Sequence, residues 1–201
     1  MNENLILIFT RNPELGKVKT RLAATIGNQN ALEVYIHLLE HTREVALETD
    51  FDKRVLYSEE INTNDMWDNH LFQKKLQLGK DLGIRMYNAF KEGFEEGYKK
   101  IVIIGSDLIA LESNDIKEAV SKLDENDVVI GPAEDGGYYL LGMKSIPENI
   151  FQNKQWGTNT VLKDTLKDIE MVTYHLLQEK NDIDTFEDIK DIPFFKKYTK
   201  Q

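Results

Sequence analysis

The chain has 201 residues and carries 25 basic against 35 acidic side chains, a formal net charge of −10 at pH 7. A nucleic-acid polymer would meet net repulsion, which argues against a polymer-binding function. The chain contains no cysteine, which excludes disulfides, thiol nucleophiles and thiolate metal ligands. Its N-terminus lacks the basic residues and the long apolar run of a signal or membrane segment. We therefore expect a cytoplasmic globular protein without a membrane span.

Apolar and polar blocks alternate along the chain and predict strands and helices in turn. Residues 5–9 form a continuous apolar run, typical of a strand that is covered on both faces. A polar stretch over residues 10–27 predicts a long loop. Further strands are predicted at 54–57, 75–78, 101–104, 128–130, 137–142 and 171–177, and helices at 31–46, 82–94, 115–123, 158–169 and from Asp184 onwards. This order predicts an α/β fold with a mostly parallel sheet, and no linker or repeat divides residues 1–201 into more than one domain.

The loop after the first strand concentrates positive charge in an otherwise acidic protein. Its cations are Arg11, Lys17, Lys19 and Arg21. Ligands of open α/β sheets bind at the carboxyl ends of the strands, and cations beside free backbone N–H groups suit a pyrophosphate. The sequence is not a Walker P-loop, because Val18 follows Gly16-Lys17, and the chain has no G-x-G-x-x-G. The alternative interpretation is a solvated basic loop.

Asp107 directly follows a predicted buried strand and the pair Gly105-Ser106. A glycine there lets a ligand approach the backbone, and a carboxylate at that place can hold a hard cation such as Mg²⁺ or Mn²⁺. The alternative is that Asp107 only caps a turn or the next helix.

Two further acidic segments are candidates for the same site. Glu134 and Asp135 precede a Gly-Gly pair, which could bind a hydroxyl-rich substrate or simply form an acidic hairpin turn. Asp182 and Asp184 alternate before the last predicted helix. Asp184 could be its N-cap, with Glu187 completing a capping-box pattern, and this does not exclude a metal-binding role.

His37, Glu40 and His41 match H-x-x-E-H, the inverted zinc-peptidase signature. The two histidines flank the apolar stripe of a predicted helix, and no obvious segment supplies a third ligand. We interpret the match as a chance pattern on a helix flank.

Several segments, taken together and in order, resemble one known family. They are residues 9–22, 79–86, 105–107, 131–142, 156–158 and 182–185. The sequence resembles the bacterial glycosyltransferase family associated with arsenosugar biosynthesis, within the nucleotide-diphospho-sugar transferase (GT-A) superfamily. The resemblance covers nearly the whole chain and is specific as a set.

This resemblance implies a three-layer α/β/α sandwich that moves a sugar from a nucleoside-diphosphate sugar to a small acceptor. It implies Mg²⁺ or Mn²⁺ at Asp107 and Asp184, and a catalytic role for Asp107. For glycosyl transfer we expect Asp135, as a carboxylate near the acceptor, to be the catalytic base or a substrate anchor. The residues implied to contact the nucleotide and its diphosphate are Thr10, Arg11, Lys17, Thr20, Arg21, Gln77, Gly79 and Gly83. Those implied to contact the sugar or the acceptor are Glu134, Asp135, Gly136, Gly137 and Trp156.

The sequence departs from the family at Leu108-Ile109, where members usually have Cys-Pro. The departure concerns the sugar or acceptor side of the site more than the metal side. Guanylyltransferases are related to this family, so nucleotidyl transfer to a small phosphorylated metabolite is the alternative function. The two reactions differ in the bond that breaks, sugar C1–O or Pα–O. A third alternative is a catalytically silent nucleotide-binding protein, against which the presence of both Asp107 and Asp184 argues.

Overall fold

The protein is described here by a computed structural model, which covers residues 2–199. Seven strands within these residues form one sheet: β1 (Asn4–Thr10), β2 (Asp52–Tyr57), β3 (Gln73–Leu76), β4 (Lys100–Ile104), β5 (Val128–Pro132), β6 (Tyr138–Met143) and β7 (Tyr174–Leu176). Their spatial order is β3-β2-β1-β4-β6-β5-β7. All neighbours are parallel except β6, which runs antiparallel to both β4 and β5.

Helices lie on both faces of this sheet. They are α1 (Thr20–Ile26), α2 (Asn28–Leu47), α3 (Leu82–Glu95), α4 (Ser113–Lys122), α5 (Val161–Asp168), α6 (Phe186–Ile189) and α7 (Lys196–Thr199), with a 3-10 turn at Pro193–Phe195. Helices α2 and α4 pack on one face, and α3 and α5 on the other. The predicted α/β class and three-layer arrangement are therefore confirmed. No helix within residues 2–199 has the length and apolar character needed to cross a membrane.

The apolar run of β1 explains why the sheet has two covered faces. Ile6 and Ile8 lie in the core beneath α2 and α4, whereas Leu5 and Leu7 lie in the core beneath α3. Alternate residues of a strand point to opposite faces, so a strand covered on both sides must be apolar throughout. A third core joins α1 and α2 to the C-terminal segment through Leu22, Ala31, Val34, Leu38, Ile183, Ile189 and Phe195.

Five local expectations were wrong. The predicted loop 10–27 contains α1, whose seven residues bury only Leu22 and are too few for a periodic pattern. The third strand ends at Leu76, and Leu78 is exposed. Helix α5 begins at Val161, and the last strand is shortened to Tyr174–Leu176. Helix α6 is capped by Thr185 with Asp188, not by Asp184 with Glu187, because Thr185 is the N-cap residue and Asp188 stands at the N3 position.

Candidate functional site

The parallel pairing of β1 and β4 brings the first loop beside Asp107. The register pairs Ile8 with Ile104, so the loops that follow both strands leave the same edge of the sheet. Lys19 Nζ donates a hydrogen bond to Asp107 Oδ2 at 3.0 Å. The Lys19 side chain is only 7% exposed, and its backbone has the left-handed values φ 46° and ψ 47° at the start of α1. Such a conformation is uncommon outside glycine and clusters at functional sites.

The C-terminal segment before α6 completes this edge. The Ile183 N–H donates to the Asp107 carbonyl oxygen at 3.0 Å, which fixes the segment beside β4. Arg21 Nη1 donates to Asp184 Oδ2 at 2.9 Å. The two carboxylates predicted to hold a metal are thus each paired with a cation, Asp107 with Lys19 and Asp184 with Arg21.

Asp182 is a third carboxylate here, which the sequence analysis named beside Asp184 but did not assign as a metal ligand. Burial raises the pKa of Asp182 to about 6, the negative charges of Asp107 and Asp135 add to the rise, and Lys19 opposes it. Asp182 therefore lies within electrostatic reach of Asp107, Asp135 and the Lys19 ammonium.

The oxygen donors of this cluster suit a hard divalent cation, since Mg²⁺ and Mn²⁺ prefer carboxylate ligands. As the side chains stand in the part of the chain that is described, no three acidic or histidine side chains are gathered closely enough to hold a metal ion. Asp107 and Asp184 are each paired with a cation instead. The donor chemistry fits the ion, and the present side-chain arrangement is that of a site neutralised by its own lysine and arginine.

Tyr35 of α2 links the ends of β1 and β4. Its hydroxyl accepts from the Arg11 N–H at 2.9 Å, donates to the Arg11 carbonyl oxygen at 3.2 Å, and lies 3.2 Å from Thr10 Oγ1 and 3.4 Å from Ser106 Oγ. Thr10 is itself buried, so it supports the loop from below. The periodic pattern assigned Tyr35 only to the core and gave no sign of this polar role.

The other cations of the first loop have different surroundings. Lys17 is 58% exposed and pairs with Glu14 at 2.7 Å and Glu59 at 3.6 Å. Lys19, not Lys17, is therefore the lysine that the fold turns toward Asp107. Arg11 and Thr20 are exposed at the two ends of the loop.

The segment predicted to contact the base is held largely by internal bonds. Gln77 Nε2 donates to the carbonyl oxygens of Thr10 at 3.0 Å and Leu56 at 2.9 Å, so both its N–H groups are used within the protein. The segment is kept in place by a positive φ of 146° at Gly79. A Cβ on Gly83 would lie 2.6 Å from the Trp156 ring and 2.7 Å from the Phe151 carbonyl oxygen. Gly83 and Trp156 therefore pack against each other, a role that the predicted ligand contacts did not include.

The acidic Gly-Gly segment forms the hairpin turn between β5 and β6. Asp135 Oδ1 accepts from the Gly137 N–H at 2.8 Å, and the Gly136 N–H donates to the Ala133 carbonyl oxygen at 3.0 Å. The hairpin interpretation is confirmed. Glu134 and Asp135 remain exposed, and Asp135 also acts on Asp182 electrostatically, so the turn borders the cluster.

The histidine pair and the Leu108-Ile109 pair make contacts within the fold. His37 stacks on Phe194 with ring centroids 3.7 Å apart, and burial lowers the pKa of His37. His41 Nε2 lies 2.8 Å from the Leu111 carbonyl oxygen. Both contacts agree with the interpretation of H-x-x-E-H as a chance match. Leu108 is buried and Ile109 packs against the third core, so this departure fills apolar space.

Comparison with known proteins places the chain in a family. Residues 38–158 match the family described as an uncharacterized protein conserved in bacteria (DUF2064), and the chain belongs to that family. The fold is that of the nucleotide-diphospho-sugar transferases. A structure from Desulfovibrio desulfuricans G20, assigned to those transferases, is 30% identical with a TM-score of 0.85, over 96% of this chain and 90% of that one. The comparisons do not show membership of the narrower arsenosugar-associated family, and that resemblance stays a prediction.

Two further relatives carry nucleotidyltransferase names. The 2-phospho-L-lactate guanylyltransferase of Methanocaldococcus vulcanius is 26% identical over 195 residues, which is 94% of this chain and 84% of that protein. A cytidylyltransferase structure from Leptospira borgpetersenii has a TM-score of 0.63 at 16% identity, over 94% of this chain and 84% of that one. The second likeness concerns the fold alone.

Proposed function

We propose that this protein transfers a nucleotidyl group from a nucleoside triphosphate to a small phosphorylated acceptor, with Mg²⁺ or Mn²⁺ as cofactor. The observation that supports it is the meeting of Lys19 and Arg21 with Asp107 and Asp184 at the carboxyl edge of the sheet. This arrangement supplies cations for phosphate oxygens and carboxylates for a metal in one place. The 26% identity to a guanylyltransferase favours nucleotidyl over glycosyl transfer, and favours GTP as the donor.

The residues that would hold the metal are Asp107 and Asp184, with Asp182 beside them. Asp182 joins the predicted pair because its carboxylate interacts with Asp107 and is partly buried. A divalent ion bound there would neutralise triphosphate oxygens and hold the donor in one orientation. This choice of ligands is part of the proposal.

In the proposed reaction an oxygen of the acceptor's phosphate forms a bond to Pα, and the bond from Pα to the bridging oxygen breaks. Pyrophosphate leaves with the electron pair of that bond. Lys19 and Arg21 stabilise the charge that grows on the leaving pyrophosphate. An ionised phosphate needs no general base, so Asp135 would orient the acceptor or exclude water in this reaction.

Glycosyl transfer is the second candidate, because the Desulfovibrio structure with a nucleotide-diphospho-sugar transferase assignment is 30% identical. In that reaction the sugar C1–O bond breaks and a nucleoside diphosphate leaves. An acceptor hydroxyl would then have to lose a proton, and Asp135 would serve as the base.

The two reactions release different products, which makes the test direct. The four nucleoside triphosphates are incubated with 2-phospho-L-lactate and other small phosphorylated acids in the presence of Mn²⁺, and pyrophosphate release is measured. Nucleoside-diphosphate sugars are assayed in parallel for release of nucleoside diphosphate. Acceptor-dependent pyrophosphate supports the proposal, and nucleoside diphosphate without pyrophosphate overturns it in favour of glycosyl transfer. If neither product forms and no nucleotide raises the melting temperature with Mn²⁺, the silent nucleotide-binding alternative is abandoned together with both reactions.

A further inference from the structure

We infer that Lys19 is a built-in substitute for the divalent cation: its ammonium neutralises Asp107 in the metal-free protein, and metal binding releases it to the phosphates of the nucleotide. The inference rests on the proposed function, since it needs a metal at Asp107. It goes beyond that function because it makes the binding of the metal and the binding of the nucleotide depend on each other. Metal and nucleotide would bind cooperatively because one lysine is exchanged between two anionic partners.

The ion pair occupies one of the two oxygens through which Asp107 could hold a metal. Lys19 Nζ lies 3.0 Å from Asp107 Oδ2. The other oxygen, Oδ1, faces Gly105, since it is 3.1 Å from where a Cβ on that glycine would stand. An Mg²⁺ ion about 2.1 Å from Oδ2 would stand at most about 5 Å from the ammonium. Two cations at that distance repel strongly in a partly buried site, so the lysine must move away when the ion binds.

The cluster also needs a cation when no metal is present. Lys19 Nζ is 3.0 Å from Asp107 Oδ2, and Asp107 and Asp135 both act electrostatically on Asp182, where Lys19 opposes them. Three carboxylates without a counter-charge would repel one another and oppose folding of this edge. A lysine carried by the chain supplies the missing charge at all times.

The Lys19 side chain combines a fixed backbone with a flexible stem, as an exchange between carboxylate and phosphate requires. Its backbone is fixed at the N-cap of α1, next to the buried anchor Leu22, and has the left-handed conformation already described. The ammonium sits on a flexible four-carbon stem, so its turn from carboxylate to phosphate requires a change of side-chain rotamer and no movement of the helix. Lys17 in the same loop is paired with Glu14 and Glu59 and is not part of this exchange.

The first test measures Mn²⁺ alone, by the electron paramagnetic resonance signal of the free ion and by calorimetry, without nucleotide. Lys19→Met keeps the apolar stem and removes the charge. Lys74→Met is the matched control, because Lys74 is 6% exposed and pairs with Asp65 at 2.7 Å in β3. We expect Lys19→Met to bind Mn²⁺ at least about tenfold more tightly than the wild type, and Lys74→Met to differ by less than about twofold. Lys19→Arg keeps the charge and should behave as the wild type.

The second test alters Asp107 instead of Lys19 and measures the binding of inorganic tripolyphosphate in EDTA. Neither a metal ion nor the identity of a nucleotide base can then affect the result. Asp107→Asn releases Lys19 and should bind tripolyphosphate at least about fivefold more tightly than the wild type. Asp65→Asn, which releases Lys74, is its control. The double variant Asp107→Asn with Lys19→Met should lose the gain. This arm also stands if Lys19→Met fails to fold.

The outcomes distinguish failure of the lysine exchange from failure of the proposed metal site. If Mn²⁺ binds the wild type, and Lys19→Met binds it no more tightly than Lys74→Met, the exchange is overturned and the metal site of the proposed function stands. If tripolyphosphate binding is unchanged in Asp107→Asn, the exchange is overturned from the phosphate side. If neither the wild type nor any variant binds Mn²⁺, the metal site fails and the exchange fails with it.

Discussion

The guanidinium of Arg21 lies 2.9 Å from Asp184 Oδ2, and this contact joins the first turn of α1 to the segment before α6. The Arg21 side chain is 76% exposed, and that of Asp184 37%. An ion pair so open to water adds little stability, typically below about 1 kcal/mol. Both groups are therefore accessible to a ligand, and their substitution should affect binding more than folding.

Arg21→Ala should weaken nucleotide binding about tenfold or more, because a charge-assisted contact to phosphate contributes about 1.5–3 kcal/mol. Its melting temperature should stay near that of the wild type. The comparison is His37→Ala with His41→Ala, which removes the stacking on Phe194 and the contact to Leu111. We expect that double variant to melt earlier and to bind nucleotide normally. Stoichiometric zinc bound through the two histidines would reverse this ranking.

Asp107→Asn should abolish metal-dependent turnover and leave the fold intact. The amide keeps the size of the side chain, and the backbone bond from Ile183 is unaffected, but the negative charge that would hold a hard cation is lost. The loss in turnover should exceed the 10- to 100-fold, roughly, that removing an outer-shell partner of a metal site costs. Melting temperature and product release are measured side by side. Full activity would leave Asp107 as a turn residue and remove the metal site at that position.

Phe195→Ala should destabilise the protein by about 3–5 kcal/mol, since it empties a fully buried position in the third core. Phe194→Ala is the control, because Phe194 is 49% exposed and should cost about 1 kcal/mol or less. Ile183 shares the core with Phe195, so the loss should also loosen the Asp182–Asp184 segment and weaken metal-dependent nucleotide binding. Denaturant unfolding and calorimetry measure the two effects. Equal losses in both variants would argue against a specific anchor at Phe195.

Gly83→Ala tests the packing role at the start of α3. In an open helix position this change stabilises by about 1 kcal/mol, because alanine is the better helix former. Here the new methyl group would overlap the Trp156 ring and the Phe151 carbonyl oxygen, so we expect a loss of about 1–3 kcal/mol. The sign of the change in unfolding free energy, measured by denaturant unfolding, shows whether the contact with Trp156 constrains this position. A gain in stability would mean that the contact with Trp156 yields easily and that Gly83 is free to serve a ligand.

Local patterns in the sequence determined the layers and one edge of this protein. The apolar run of β1 required a sheet covered on both faces, and apolar residues recurring at helical spacing placed helices α2 and α3. Asp107 after a buried strand and the cations of the first loop were assigned to the same edge, because parallel strands end together. These inferences need only neighbours in sequence and the geometry of one strand or helix.

Only the tertiary structure decided which of those residues meet. Lys17 and Lys19 are two residues apart and equally suited by type, yet the left-handed turn before α1 directs Lys19 to Asp107 and leaves Lys17 with Glu14 and Glu59. Asp182 joined the cluster because the Ile183 N–H bonds to Asp107 across the sheet edge, and Gly83 was required by the ring of Trp156. Each of these contacts joins parts of the chain that are distant in sequence. Periodicity and composition describe how a residue relates to its own helix or strand, whereas the partner of a charge is set by the packing of the whole sheet.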